Sequence, residues 1–175
     1  GRVSLKNSVI CLNGAASGSN GPYGIRCEGT LSNSLIRNCT IWHNTNHGIS
    51  HYGSNAPSVV NCILWDNNLS VTPQAQTYGV ISFWYSCVMN GGTANGCITP
   101  NPQFACDDPN FGNWHLGTNS PCINVGNPTN SLYTGEKDID QDDRVYNDRV
   151  DIGADEIVCE VSLSSPGDIN GDGTV

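Results

Sequence analysis

The residues whose spacing most directly implies chemistry stand at the end of the sequence. In Asp168-Ile169-Asn170-Gly171-Asp172-Gly173-Thr174-Val175, a D-x-N-x-D-G pattern turns the side chains at positions 1, 3 and 5 toward one face of a tight loop, and glycine at position 6 permits the turn. Asp168, Asn170 and Asp172 are therefore expected to ligate calcium, a hard cation that takes about six to eight oxygens. The sequence stops at loop position 8, and the acidic ligand expected at position 12 would fall four residues beyond Val175. Water or a neighbouring molecule would have to complete the shell.

Other candidates are weaker in pattern. Asp138, Asp140, Asp142 and Asp143 alternate as a strand would, which puts Asp138, Asp140 and Asp142 on one face. Two readings fit: an exposed acidic edge that discourages strand addition, with Arg144 and Arg149 as local partners, or a second cation site. His43, His47 and His51 recur every four residues, a helical spacing in a glycine-rich, β-type context, and read as polar turn positions rather than convergent ligands. His115, between Trp114 and Leu116, reads as a half-exposed strand imidazole with no Ser or Cys nearby to make it a catalytic base. Glycoside hydrolysis requires a facing carboxylate pair. Residues 1–106 contain only Glu28 and Asp66 as acids, in different sequence columns, so no catalytic residue is assigned.

The charge balance is 7 basic to 16 acidic residues, net −9, which argues against nucleic acid. Residues 136–172 carry twelve of the 16 acids, so a nearly neutral body leads into an acidic C-terminal section where a divalent cation would be sought. No run approaches the ~18 apolar residues of a membrane span, and no signal peptide is evident. Because Gly1 falls directly into repeat sequence, an internal fragment or processed product is expected. The nine cysteines (Cys11, Cys27, Cys39, Cys62, Cys87, Cys97, Cys106, Cys122 and Cys159) form no CxxC and no zinc-like cluster. Their number fits an oxidising, extracellular or cell-surface setting.

The elements that would position these residues are written as a repeat. Asn38-Cys39-Thr40-Ile41-Trp42-His43-Asn44 recurs 23 positions later as Asn61-Cys62-Ile63-Leu64-Trp65-Asp66-Asn67, with fainter copies at Asn7-Ser8-Val9-Ile10-Cys11 and Ser86-Cys87-Val88-Met89-Asn90. A period of twenty-odd residues signals a solenoid. Ser8, Cys39, Cys62 and Cys87 would share one column, and Tyr23-Gly24-Ile25, His47-Gly48-Ile49 and Tyr78-Gly79-Val80 would mark a second strand per coil. Parallel strands ~4.8 Å apart turn columns into ladders. Ile41 would lie over Leu64 inside, Trp42 would stack on Trp65, and Asn38 and Asn61 would serve backbone groups at a bend. Stacked Cβ atoms ~5 Å apart are far for a disulfide, so Cys39, Cys62 and Cys87 read as a thiol ladder. Cys97 or Cys106 is freer to pair with Cys122.

Residues 1–99 resemble the right-handed parallel β-helix, an all-β solenoid with three sheets per coil. The ordered segments Trp84–Val88, Asn95–Ile98, Asn101–Phe104, Trp114–Leu116, Ser120–Gly126, Asp138–Asp140 and Arg149–Glu156 resemble the choice-of-anchor Q family, in which a C-terminal closing region follows the last coils of a bacterial surface β-helix. Asn124 stands where that family often has Asp. Asp168–Val175 resembles the opening of a type I dockerin repeat, whose calcium loop is similar to that of an EF-hand. The expected organisation is coils over 1–99, a closing region over 100–157, a linker over 158–167 and a calcium loop over 168–175. The resemblances imply a non-catalytic extracellular structural or adhesive module of a bacterial surface or secreted protein, more a building part than an enzyme. Implied partners are further copies stacked end to end into a homo-oligomer or filament, a cell-surface or cohesin-like partner, and polysaccharide. The fold also hosts polysaccharide lyases and glycoside hydrolases, so the alternative is the C-terminal part of such an enzyme.

Overall fold

The computed structural model describes residues 2–14, 22–29, 34–69, 75–106, 114–147 and 149–158. Among these residues there are nine strands and no α-helix: β1 (Ser4–Cys11), β2 (Ile25–Glu28), β3 (Leu35–Trp42), β4 (Ile49–Tyr52), β5 (Ser58–Val60), β6 (Ile63–Trp65), β7 (Thr77–Tyr78), β8 (Ser82–Trp84) and β9 (Cys87–Val88). No helix of the described residues is long and apolar enough to cross a membrane. All strand pairings are parallel. The larger sheet is centred on β3, which pairs with β1 along its whole length on one side and with β5 and then β6 on the other; β8 and β9 extend the sheet. β2, β4 and β7 form a second sheet. The chain thus alternates between two sheets, and each pass adds a tier.

Single left-handed residues bend each tier. Asn7, Asn38, Asn61 and Tyr85 have φ of 49°, 50°, 52° and 47°, and Leu12, His43, Asp66 and Asn90 have φ of 54°, 51°, 55° and 57°. Asparagine visits this region more readily than most residues, because its short amide can bond locally. Here the amides also bond along the stack: Asn61 Nδ2 donates to Asn38 Oδ1 (3.1 Å), and Asn38 Nδ2 donates to Asn7 Oδ1 (3.0 Å). A second file begins at Asn13, whose N–H donates to Asn44 Oδ1, and continues through Asn44 Nδ2 to Asn67 Oδ1 (2.8 Å) and Asn67 Nδ2 to Gln76 Oε1 (2.8 Å). Glycine is required beside this file, since a Cβ at Gly48 would lie 2.8 Å from Asn67 Nδ2.

The bends also set the register, and two expected columns shift. Ile63 pairs with Cys87 and Cys62 N–H donates to Ser86 Oγ, so Ser86 and not Cys87 follows Cys62. A one-residue slip sends a side chain to the other face, and Cys87 therefore points outward. Thr77, not Val80, pairs with Ile49, which places Tyr78-Gly79-Val80 three positions off the expected marker. Inside the stack Ile36, Cys39, Ile41, Ile49, Val59, Cys62, Leu64 and Val88 form one core. On the outer face of the same strands Trp42, Ile63 and Cys87 form a second core with Phe104, Leu116, Cys122 and Ile152. The described residues among 98–157 thus lie along the flank of the stack rather than only beyond its last tier. That cover replaces the expected stacking of Trp42 on Trp65: the two are register partners, but the Trp42 ring meets Trp114 at 4.6 Å and Phe104 edge-on at 6.1 Å.

Candidate functional site

Of the residues expected to matter, Asn38, Cys39, Ile41, Trp42, Asn61, Cys62, Leu64 and Trp65 all stand in the stack. Asn38 and Asn61 form the amide file described above, Cys39, Ile41, Cys62 and Leu64 are fully buried in the inner core, and Trp42 and Trp65 belong to the outer one. The calcium residues Asp168, Asn170 and Asp172 lie outside the described residues, as does Cys159. None of the eight described cysteines is bridged. Cys122 packs against Cys87 and is bridged to neither Cys97 nor Cys106; its hydrogen bond to Cys87 and then its burial push its thiol well above the ordinary range, which disfavours the thiolate. His43 sits 4.0 Å from Asp66, His47 lies among Tyr23 and Tyr78, and His51 Nδ1 meets Val80 O, so the three histidines do not converge.

The acidic section is not an alternating strand. Lys137 bridges antiparallel to Asp143, and Asp138, 3 % exposed, organises the loop between them: its Oδ1 accepts from the N–H groups of Asp140 and Asp142 and its Oδ2 from that of Glu156. Arg144 and Arg149 are not partners of an exposed edge. Arg144 is wholly buried, and its Nη2 donates to Asp151 O and Gly153 O (both 3.1 Å) with Glu156 Oε2 farther away at 3.9 Å. Arg149 donates to Val125 O and Gly126 O. Burial raises the pKa of Asp151 to about 6, and burial followed by the charge of Asp151 raises that of Glu156 to about 8. Asp151 nevertheless accepts from Asn124 N–H and Ile157 N–H, and Glu156 from Tyr146 N–H and Asp151 N–H. These carboxyls hold the flank's irregular backbone together.

One constellation in this region is open to solvent. His115 precedes Leu116, whose bridge to Phe104 fixes the segment, and its Nε2 lies 2.6 Å from Asp140 Oδ2. Asp155, 4 % exposed, faces the same place and accepts from Leu116 N–H at 2.7 Å. One ligand atom from each of His115, Asp140 and Asp155 lies within 4.8 Å of the other two, and among the described residues this is the group that could hold a metal ion. Burial raises the pKa of Asp155, the Leu116 N–H and His115 oppose this, and the charges of Asp138 and Asp140 add to it. Only Asp140 belongs to the acidic run; the three residues come from separate segments with no motif spacing. Elsewhere, a pocket of about 510 Å3 opens at the last tier, lined by Gln76, Phe83, Val88, Met89 and Cys97 among others. Comparison of the chain with family models, with curated proteins and with solved structures returns no match.

Proposed function

We propose that the chain is a right-handed parallel β-helix module that serves a structural or adhesive, non-catalytic role in a secreted or surface protein of bacterial type, and that it assembles end to end. The observation that carries this reading is the parallel strand-over-strand register, with files of asparagine amides bonded along it from Asn7 through Asn38 to Asn61 and from Asn44 through Asn67 to Gln76. At the first tier β1 and β2 each have a strand partner on one side only among the described residues, with Leu5, Ile10 and Ile25 only partly buried and Val3 and Leu12 about half exposed. At the last tier Tyr85 N–H donates to Asn95 O, Cys87 bridges Ile98 and Val88 N–H donates to Ile98 O, so the chain itself continues over these strands, with the pocket lined by Phe83, Val88 and Cys97 beside them. The unpaired strand edges of the first tier favour addition of a further tier there, from the same chain or from another copy. The loop at Asp168, Asn170 and Asp172 would add calcium-dependent attachment to a cohesin-like partner, and a polysaccharide is the expected surface for adhesion.

Sedimentation velocity over a range of concentrations tests the assembly. A concentration-dependent series of elongated species is expected, and a monomer at every concentration would remove end-to-end stacking from the proposal. The enzyme alternative is tested on the same preparation with a panel of acidic and neutral polysaccharides. Depolymerisation abolished by changing a residue within 1–157 would overturn the non-catalytic reading.

A further inference from the structure

We propose that His115, Asp140 and Asp155 form a binding site for a divalent cation of the zinc class, independent of the calcium loop expected at Asp168–Val175. The geometry has one fixed and two adjustable members. Asp155 is buried and anchored by the Leu116 N–H, whereas the side chains of His115 and Asp140 are 41 % and 49 % exposed. The three donor atoms lie within 4.8 Å of one another. Ligands about 2.0–2.2 Å from a tetrahedral zinc stand roughly 3.4 Å apart. The His115–Asp140 contact of 2.6 Å must therefore open and the wider separations must close, motions open to the two exposed side chains. The cation enters between Nε2 and Oδ2 and is ligated by the neutral imidazole through Nε2, whose proton is then carried on Nδ1. Asp138 does not touch the ion but holds the backbone of Asp140 through its Oδ1, and so acts as a positioning residue. An imidazole nitrogen with two carboxylates suits zinc, cobalt or nickel better than calcium or magnesium, which take oxygen ligands. Three protein ligands, two of them on exposed side chains, leave the fourth position for water.

The test uses the full chain, titrated with Zn2+ by calorimetry and with Co2+ by absorption spectroscopy. Removal of even a supporting residue costs metal sites about 10–100-fold in affinity, so His115→Ala and Asp140→Asn should each weaken Zn2+ binding by at least about tenfold. Both changes fall on exposed side chains, and circular dichroism confirms that the variants keep the fold. The Co2+ form should show weak visible bands of nitrogen and oxygen ligation without a thiolate charge-transfer band in the near ultraviolet. Equal Zn2+ affinity in the wild type and both variants would overturn the site. So would a thiolate band accompanied by loss of binding on cysteine alkylation, because the metal would then sit on the cysteines.

Discussion

Asp151 shows how one buried carboxyl ties the stability of the flank to pH. Its carboxylate accepts two backbone N–H bonds, which favour the charged form, yet burial outweighs them and lifts its pKa from 3.8 to about 6. A carboxyl with a higher pKa in the fold than in the unfolded chain binds its proton more tightly when folded. Its contribution is therefore complete below about pH 3.8 and is lost as the pH rises through about 6. In chelator-treated protein, the thermal midpoint of Asp151→Asn should change less steeply than that of the wild type between about pH 4 and 7. Calorimetry at stepped pH measures the two slopes, and parallel curves would show that Asp151 does not titrate in this range. The absolute midpoint of the variant will be lower throughout, since an amide can accept only one of the two bonds in the same way.

Among the elements, the bends determine the register, and Asn61 is where a bend meets the flank. Its amide donates to Asn38, its Oδ1 accepts from Asn127 N–H at 2.8 Å, and its backbone is left-handed at φ 52°. Asn61→Ala should cost about 2–5 kcal/mol, from unsatisfied buried partners and from the left-handed backbone. Asn61→Gly should recover the backbone part, about 1–2 kcal/mol. Denaturant unfolding at unchanged m-value separates the two, and equal losses would mean that the bend carries no strain. The same bends explain what could be read in the sequence. The Asn-Cys-x-x-Trp repeat announces the strands because asparagine marks the left-handed positions, so Asn38 and Asn61 are visible as a column. At the fourth tier the bend falls on Tyr85, a residue type with no such signature, and matching Cys87 to Cys62 slips the alignment by one. The flank is less legible still. Its segments form isolated bridges instead of strands, and several of its side-chain hydrogen bonds join distant positions: His115 to Asp140 spans 25 and Leu116 to Asp155 spans 39. No local period records contacts of that kind.

At the scale of the whole molecule, the described residues among 98–157 fasten the tiers together. Glu136 pairs with Lys6 and Arg37, Thr40 Oγ1 accepts from Ala154 N–H, Gly153 N–H donates to Asn61 O, and Cys122 packs against Cys87. Gly153 leaves no room for a side chain: at φ 118° a Cβ there would lie 2.8 Å from Ile63 Cδ1 and 3.1 Å from Thr40 Oγ1. Gly153→Ala should lower stability by about 2–4 kcal/mol through crowding and backbone strain. Limited proteolysis should then cut within 98–157 before it cuts the strands, and a cleavage pattern and midpoint like those of the wild type would contradict this role for the flank. The fastening also sets an order of events in time. The bonds from Lys6 to Glu136 and from Thr40 to Ala154 join positions 130 and 114 residues apart. Contacts this distant close late and slow the reaction. A chain emerging amino terminus first could stack its tiers early but could not lock them until nearly all of the described sequence had emerged, so the acidic segment acts as the last catch of a vectorial process, with the tiers left open to rearrangement until it arrives.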